Sequence, residues 1–359
     1  MSQNADGTAM NEGYLTFHRS PGRHAWYLRG ANPPIFDPVT KAWIITEPGC
    51  CERLLTSPHT RPASYSDNYV AMEKRLGVDF SNALLALLHV PMCLHEDAHR
   101  KARRRVAEHL AARRLDLSAC MTKSLALHLQ PLRQEGELEI VSQVLEPLVL
   151  SVTEVLTDIP PSVAAECRTV SAIFDKLIGP RKRQRIEAEL GRMRAAIVCK
   201  LGPSASEEAV GVRLALAVLG RDTLLGTLGA SLYSILSANP ARRLNEITYP
   251  QIPPETGVPY IERIAVNSFS DQQTRFNAGD GLRIYTQAFA YSGSPQDRPK
   301  MFGAGSHLCL GKPLSLDLWQ EMTSFLGKIP LFADIVSCDL RTDDYVFLCP
   351  SRLTVRVHA

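Results

Sequence analysis

The spacing of apolar positions divides the chain into a helical majority and short stretches of alternation. Residues 110–240 are almost wholly helical by pattern, with breaks at Asp158-Ile-Pro-Pro161 and Gly179-Pro180, and His95–Val106 is taken as a helix ahead of them. The longest helix begins near Glu207, and a further one carries Leu314, Leu318, Met322 and Phe325. Alternation marks a hairpin from Ile35-Phe36 through Asp37–Lys41 to Ala42–Thr46, followed by a short helix with Pro48 in its first turn. Strands are expected within Gly257–Ala265 and Asn277–Phe289, and a terminal hairpin within Asp339–Ala359. Residues 62–91 read as a loop and one packed helix around Ala83–Leu88. The pattern predicts a mainly α protein with small β-sheets, of the α+β class. No repeat or linker divides it, so one domain over residues 1–359 is expected, with residues 1–30 partly disordered or extended.

Composition narrows the class. A hydrophobic share of 45% and a charged share of 21% are those of a globular protein, and a net charge of +3 is too small to suggest nucleic-acid binding. The run Arg181-Lys-Arg-Gln-Arg185 has no interleaved aromatic residues and reads as a solvated helix start. Leu214–Leu236 is apolar enough to suggest a membrane span, but Arg221 and Asp222 lie at its centre. Each would cost about 2.5–3.5 kcal/mol there, so a buried helix is expected and no membrane anchor. Nine scattered cysteines without C-x-x-C argue for free thiols in a reducing cytoplasm.

Three stretches carry chemistry. In Met301-Phe-Gly-Ala-Gly-Ser-His-Leu-Cys-Leu-Gly311, glycines flank a cysteine just ahead of a helix start. Glycine lets a backbone bend close to something bulky, and a helix N-terminus favours a thiolate, which is a soft ligand for iron. In Gly220-Arg-Asp-Thr223 an acid and an alcohol stand side by side, a combination suited to proton delivery. A lone pattern of this kind is ordinarily a buried helix with satisfied polar groups. In His95–Val106, His99 and Arg103 are four apart and share a helix face.

Phe302, Gly305, His307, Cys309 and Gly311 follow F-x-x-G-x-H-x-C-x-G, which resembles the haem-binding loop of the cytochrome P450 family. The resemblance implies that fold, a triangular prism with a long central I helix over the haem. It implies haem b held through Cys309 as the iron ligand, with Phe302, Gly305 and Gly311 shaping the loop. His99 and Arg103 match the propionate-binding pair of the family's C helix, and Arg263 and His307 match its other propionate ligands. Gly220, Asp222 and Thr223 look like the I-helix pattern, with Leu219 in place of the usual small first residue. The K-helix E-x-x-R is departed from, since the nearest candidate is Glu246-Ile-Thr-Tyr249, with tyrosine in the arginine's place.

The activity implied is that of a monooxygenase acting on a small, mainly apolar molecule with O2. Electrons from NAD(P)H would arrive through a ferredoxin and its reductase, and specialised bacterial metabolism is the expected setting. A peroxygenase, isomerase or dehydratase of the same fold without a redox partner is the alternative enzyme class. A haem-poor docking protein is the non-enzymatic one.

Overall fold

The computed structural model describes residues 33–38, 40–341 and 347–359, so the expected loose segment 1–30 lies outside it. The described chain opens with strands β1 (Ile35–Asp37) and β2 (Ala42–Ile45), helix α1 (Pro48–Thr56) and strand β3 (Thr60–Pro62). Helices α2 (Ser66–Leu76), α3 (Ser81–Leu87), α4 (Glu96–Ala112) and α5 (Arg114–His128) follow. Strand β4 (Gly136–Glu139) leads through a π-helical turn into α6 (Glu146–Thr157), α7 (Pro161–Glu166), α8 (Pro180–Leu201) and the long α9 (Glu207–Ala238). Strands β5 (Ile261–Ala265), β6 (Phe269–Asp271), β7 (Thr274–Phe276) and β8 (Gly281–Ile284) precede a short α10 (Ala288–Tyr291). Last come α11 (Lys312–Leu326), β9 (Phe332–Leu340) and β10 (Pro350–His358).

These elements form two compact units, residues 1–63 with 258–309, and residues 64–257 with 310–359. The first is a five-stranded sheet in the order β1-β2-β8-β5-β3, in which only β2 and β8 run parallel. Its helix α1 starts on Glu47, whose carboxylate accepts from the Gly49 and Cys50 backbone N–H groups. Cys51, Leu54 and Leu55 are its buried face. The expected hairpin pairs Ile35 with Ile44 and Phe36 with Trp43.

The second unit is helical, with a three-stranded sheet β4-β10-β9. Helix α9 begins at Ser206, whose hydroxyl accepts from Ala209 N at 3.2 Å, and Glu207 and Glu208 sit in the first turn where the helix dipole favours them. One core joins Leu224, Leu225 and Leu228 of α9, Val149 and Val152 of α6, Leu318, Trp319 and Met322 of α11, and Leu353 and Val355 of β10. The predicted stripe on α11 is therefore real: Leu318 and Met322 are buried, and Leu314 and Phe325 pack partly covered against the same core. Pro313 lies in the first turn of α11, where its missing N–H has no partner to lose.

Several expectations needed correction. The helical region is also broken at residues 129–139, because β4 is recruited to pair with β10 from the far end of the chain. Residues 62–91 hold two helices; α2 buries only Tyr69 and so carries almost no apolar signal. The strand within Asn277–Phe289 is just Gly281–Ile284, and the terminal hairpin begins earlier, at Phe332. Arg183, inside the supposedly solvated basic run, is 4% exposed and lies 5.0 Å over the Tyr69 ring. Glu246-Ile-Thr-Tyr249 is not on an α-helix. A 3-10 turn, Leu244–Glu246, runs into extended chain, which Pro250, Pro253 and Pro254 keep from coiling.

Candidate functional site

In the first unit the chain approaches Cys309 through two 3-10 turns, Arg298–Phe302 and Gly305–His307. The loop is closed on itself, since Cys309 N donates to Phe302 O at 2.8 Å and Leu308 N to Gly305 O at 3.2 Å. Gly303 and Gly305 have φ of 86° and 60°, a left-handed conformation that other residues adopt only with strain. A Cβ at Gly303 would also stand 3.1 Å from the His307 carbonyl oxygen. Lys300 ties the approach to Glu52 at 2.7 Å and Asp297 at 2.9 Å. Arg263, on β5 opposite Pro62 and Leu282, is 2% exposed.

All nine cysteines are free, and Cys309 and Cys199 are the two that are exposed. Buried thiols of this chain are pushed away from ionisation: burial raises Cys50 to about 12 and Cys338 to about 11. Cys309 instead faces outward from a glycine loop directly before Gly311, the N-cap of α11. An accessible thiol in a glycine-bent loop is a donor suited to a soft metal, so the loop fits a haem-iron ligand. Among the described residues no group of three His, Cys, Asp or Glu side chains could hold a bare metal ion.

In the second unit α4 carries His99, 5% exposed, and a half-buried Arg103. Arg100, Lys101 and Arg104 are exposed on its other faces, while Arg105 pairs with Glu208 at 2.5 Å. Leu310 packs against Val106 of α4 and Val212 and Leu216 of α9.

On α9, Asp222 and Thr223 do not face the same way, because successive helical residues point about 100° apart. Asp222 is 3% exposed; its Oδ2 accepts from the Ser171 hydroxyl and lies 3.0 Å from Arg341 Nη1. The Thr223 hydroxyl donates within its own helix, to the carbonyls of Leu219 and of Gly220, the latter at 3.1 Å. A Cβ at Gly220 would meet only Thr153 of α6 at 3.5 Å, an ordinary contact. The tight glycine is instead Gly226, where a Cβ would come 2.5 Å from Leu348 O and 2.9 Å from Gly257 Cα. Gly257 N donates to Thr227 Oγ1 at 2.9 Å, and Leu348 N to Gly257 O at 3.0 Å. Gly226, Gly257, Ser171 and Arg341 were not singled out in the sequence.

No protein-family profile matches the chain, and no curated protein matches it either. Solved structures do. P450BioI, in complex with an acyl carrier protein ligated to hexadec-9Z-enoic acid, is similar with a TM-score of 0.74 and 14% identity, covering 96% of this chain and 99% of that one. CalO2 gives a TM-score of 0.74 and 16% identity over 95% and 96% of the two chains. The cytochrome P450 CYP109B1 from Bacillus subtilis gives 0.69 and 15%, over 94% and 100%. The chain has the cytochrome P450 fold, as the haem-loop resemblance implied. No helix among the described residues is long and apolar enough to cross a membrane.

Proposed function

We propose that this chain is a haem-thiolate monooxygenase that oxidises a small, mainly apolar molecule by hydroxylation, desaturation or oxidative coupling, in the cytoplasm and in bacterial specialised metabolism. The observation that carries the reading is the exposed Cys309 in its glycine loop at the N-terminus of α11, within a chain of this fold. In this reading the two units work as one domain. Cys309 ligates the iron of haem b, while Phe302, Gly305 and Gly311 shape the loop around it. His99, Arg103, Arg263 and His307 neutralise the propionates; the arginines can do so with paired N–H groups. When bound, the haem supplies the O2 chemistry, with electrons from NAD(P)H through a ferredoxin and its reductase. Asp222 and Thr223 hold and move protons, and Gly220 belongs to the haem-binding set as a glycine that lets the α9 backbone approach the cofactor.

A second reading has a specific observation in its favour. The Asp222 carboxylate is bound by Ser171 and Arg341, and the Thr223 hydroxyl by its own helix, so acid and alcohol are not bonded to each other. That suits a peroxygenase, isomerase or dehydratase, which needs no proton delivery to O2. The reduced, carbon-monoxide-bound absorption spectrum tests haem binding for both. A Soret band at the thiolate position is expected, lost in Cys309→Ala; a protein that takes up no haem would refute the proposal. Turnover with ferredoxin, reductase and NAD(P)H, set against peroxide alone, then separates the two.

A further inference from the structure

Helix α9 is wholly buried from Val210 to Val218, and Gly211 opens a notch in that stretch. The notch holds the His89 ring: a Cβ at Gly211 would stand 1.9 Å from His89 Cδ2 and 2.4 Å from Nε2. The ring is 8% exposed, and its Nδ1 is buried with no hydrogen-bond partner among the described residues. His89 lies in the connection from α3 to the 3-10 turn Pro91–Cys93, and that turn packs against α4. The N–H groups of Leu88, His89, Val90, Cys93 and Leu94 donate to carbonyls within residues 84–91. The connection is therefore seated on α9 by side chains, His89 among them.

The charged groups around the ring are committed to one another. Glu208 of α9 pairs with Arg105 of α4 at 2.5 Å, and Glu207 in the same turn is bound by Arg194 of α8. Glu187 of α8 accepts from Asn82 N and Ala83 N at 2.9 Å each, in the first turn of α3. Helix α3 itself carries no ionisable residue, and the 3-10 turn carries only the thiol of Cys93. A neutral imidazole suits this notch and an imidazolium does not. The charged ring has an N–H on both nitrogens, and the one at Nδ1 would be buried without an acceptor. Burial, then Arg105, hold His89 below the ordinary histidine value, with Glu208 opposing them.

We infer that the His89 ring is an acid-operated wedge between α9 and the connection that leads into α4. Neutral, it fills the notch over Gly211 and seats residues 88–94 on α9. On taking a proton from solvent it leaves the notch, and the turn Pro91–Cys93 shifts against α4. Helix α4 carries His99 and Arg103, so the wedge acts on the candidate site through the helix that bears them. The seated form is present above about pH 6.5 and is lost as pH falls through the depressed folded value. The wedge needs nothing from the monooxygenase reading, since every residue in it lies in the second unit.

Amide hydrogen exchange of the full chain, corrected for the intrinsic effect of pH, tests this. Protection over residues 84–95 should fall severalfold on acidification from above about pH 6.5, while the core around Val149 and Leu225 keeps its own. His89→Gln should remove that pH dependence. Protection that does not change, a fall shared equally with the core, or a dependence that survives His89→Gln would each overturn the inference. Gly211→Ala should expel the ring at every pH, leaving the stretch weakly protected and insensitive to acid. Should that variant fail to fold, combining it with His89→Ala removes the clash. The double variant should fold and show no acid step; one no better than Gly211→Ala alone would refute the wedge as well.

Discussion

The indole Nε1 of Trp319 donates to the carbonyl oxygen of Pro250 at 2.8 Å, joining the helix that follows the cysteine loop to the extended chain after Leu244–Glu246. Trp319 is fully buried, and this contact occupies the region where the family resemblance led us to look for an E-x-x-R ion pair. An indole–carbonyl bond and apolar packing hold α11 there.

Trp319→Phe keeps most of the packing but takes the donor from a half-buried carbonyl, so a loss of about 1 kcal/mol is expected. Trp319→Ala also opens a cavity and should cost about 3–5 kcal/mol. Urea unfolding of the two variants checks the order; equal losses would remove the hydrogen bond from the account.

Gly226 and Gly220 make a matched pair. An alanine at 226 would drive its Cβ against the Leu348 carbonyl and Gly257, and backbone cannot rotate aside; a destabilisation of about 1–3 kcal/mol is expected. At Gly220 the same change meets only Thr153 at 3.5 Å, and should stabilise the helix by up to about 1 kcal/mol. Thermal unfolding of both haem-free variants gives the signs directly.

Asp158 caps α6 in a left-handed conformation, with φ of 57°, and binds Arg113 and Arg213 at 2.7 Å each. The Arg213 side chain is 10% exposed. Asp158→Ala strands it and retains the backbone strain, so a loss of about 3–5 kcal/mol is expected. Asp158→Asn tolerates the conformation and accepts one hydrogen bond, and should fall between the two. Denaturant midpoints rank the three proteins.

Two histidines, one buried and one half-buried, give a pH dependence of definite sign. Burial, then the nearby Arg105, lowers His89 below the ordinary histidine value. Burial likewise lowers His109, partly offset by its bond to Leu156 O at 2.7 Å. The unfolded chain therefore binds these protons more readily than the folded one. Their contribution is fully present above about pH 6.5 and is lost as pH falls from there through the depressed folded values. His89→Gln should flatten the acid side of the stability profile below about pH 6.5; an unchanged slope would exclude His89.

How much of this could be read from the sequence depended on how local each feature is. The helices around His99, Glu207 and Leu314 announce themselves by spacing, and the cysteine loop by glycines with a fixed stride. Strand β4 does not, because its identity is set by β10, which pairs with it from the far end of the chain. Ser171 and Arg341 reach Asp222 only through a 3-10 turn and the end of β9, and neither carries a pattern of its own. Helix α2 is missed for the opposite reason: a helix that buries only Tyr69 has no apolar face to betray it.

Leu310, the residue after Cys309, lies among Val106, Val212 and Leu216. An apolar peg of this kind is indifferent to ionic strength, whereas an ion pair in the same service would loosen as salt rises. The segment that leads into α11 is thus moored by a contact that salt should leave in place, and that warming from the cold should, if anything, tighten.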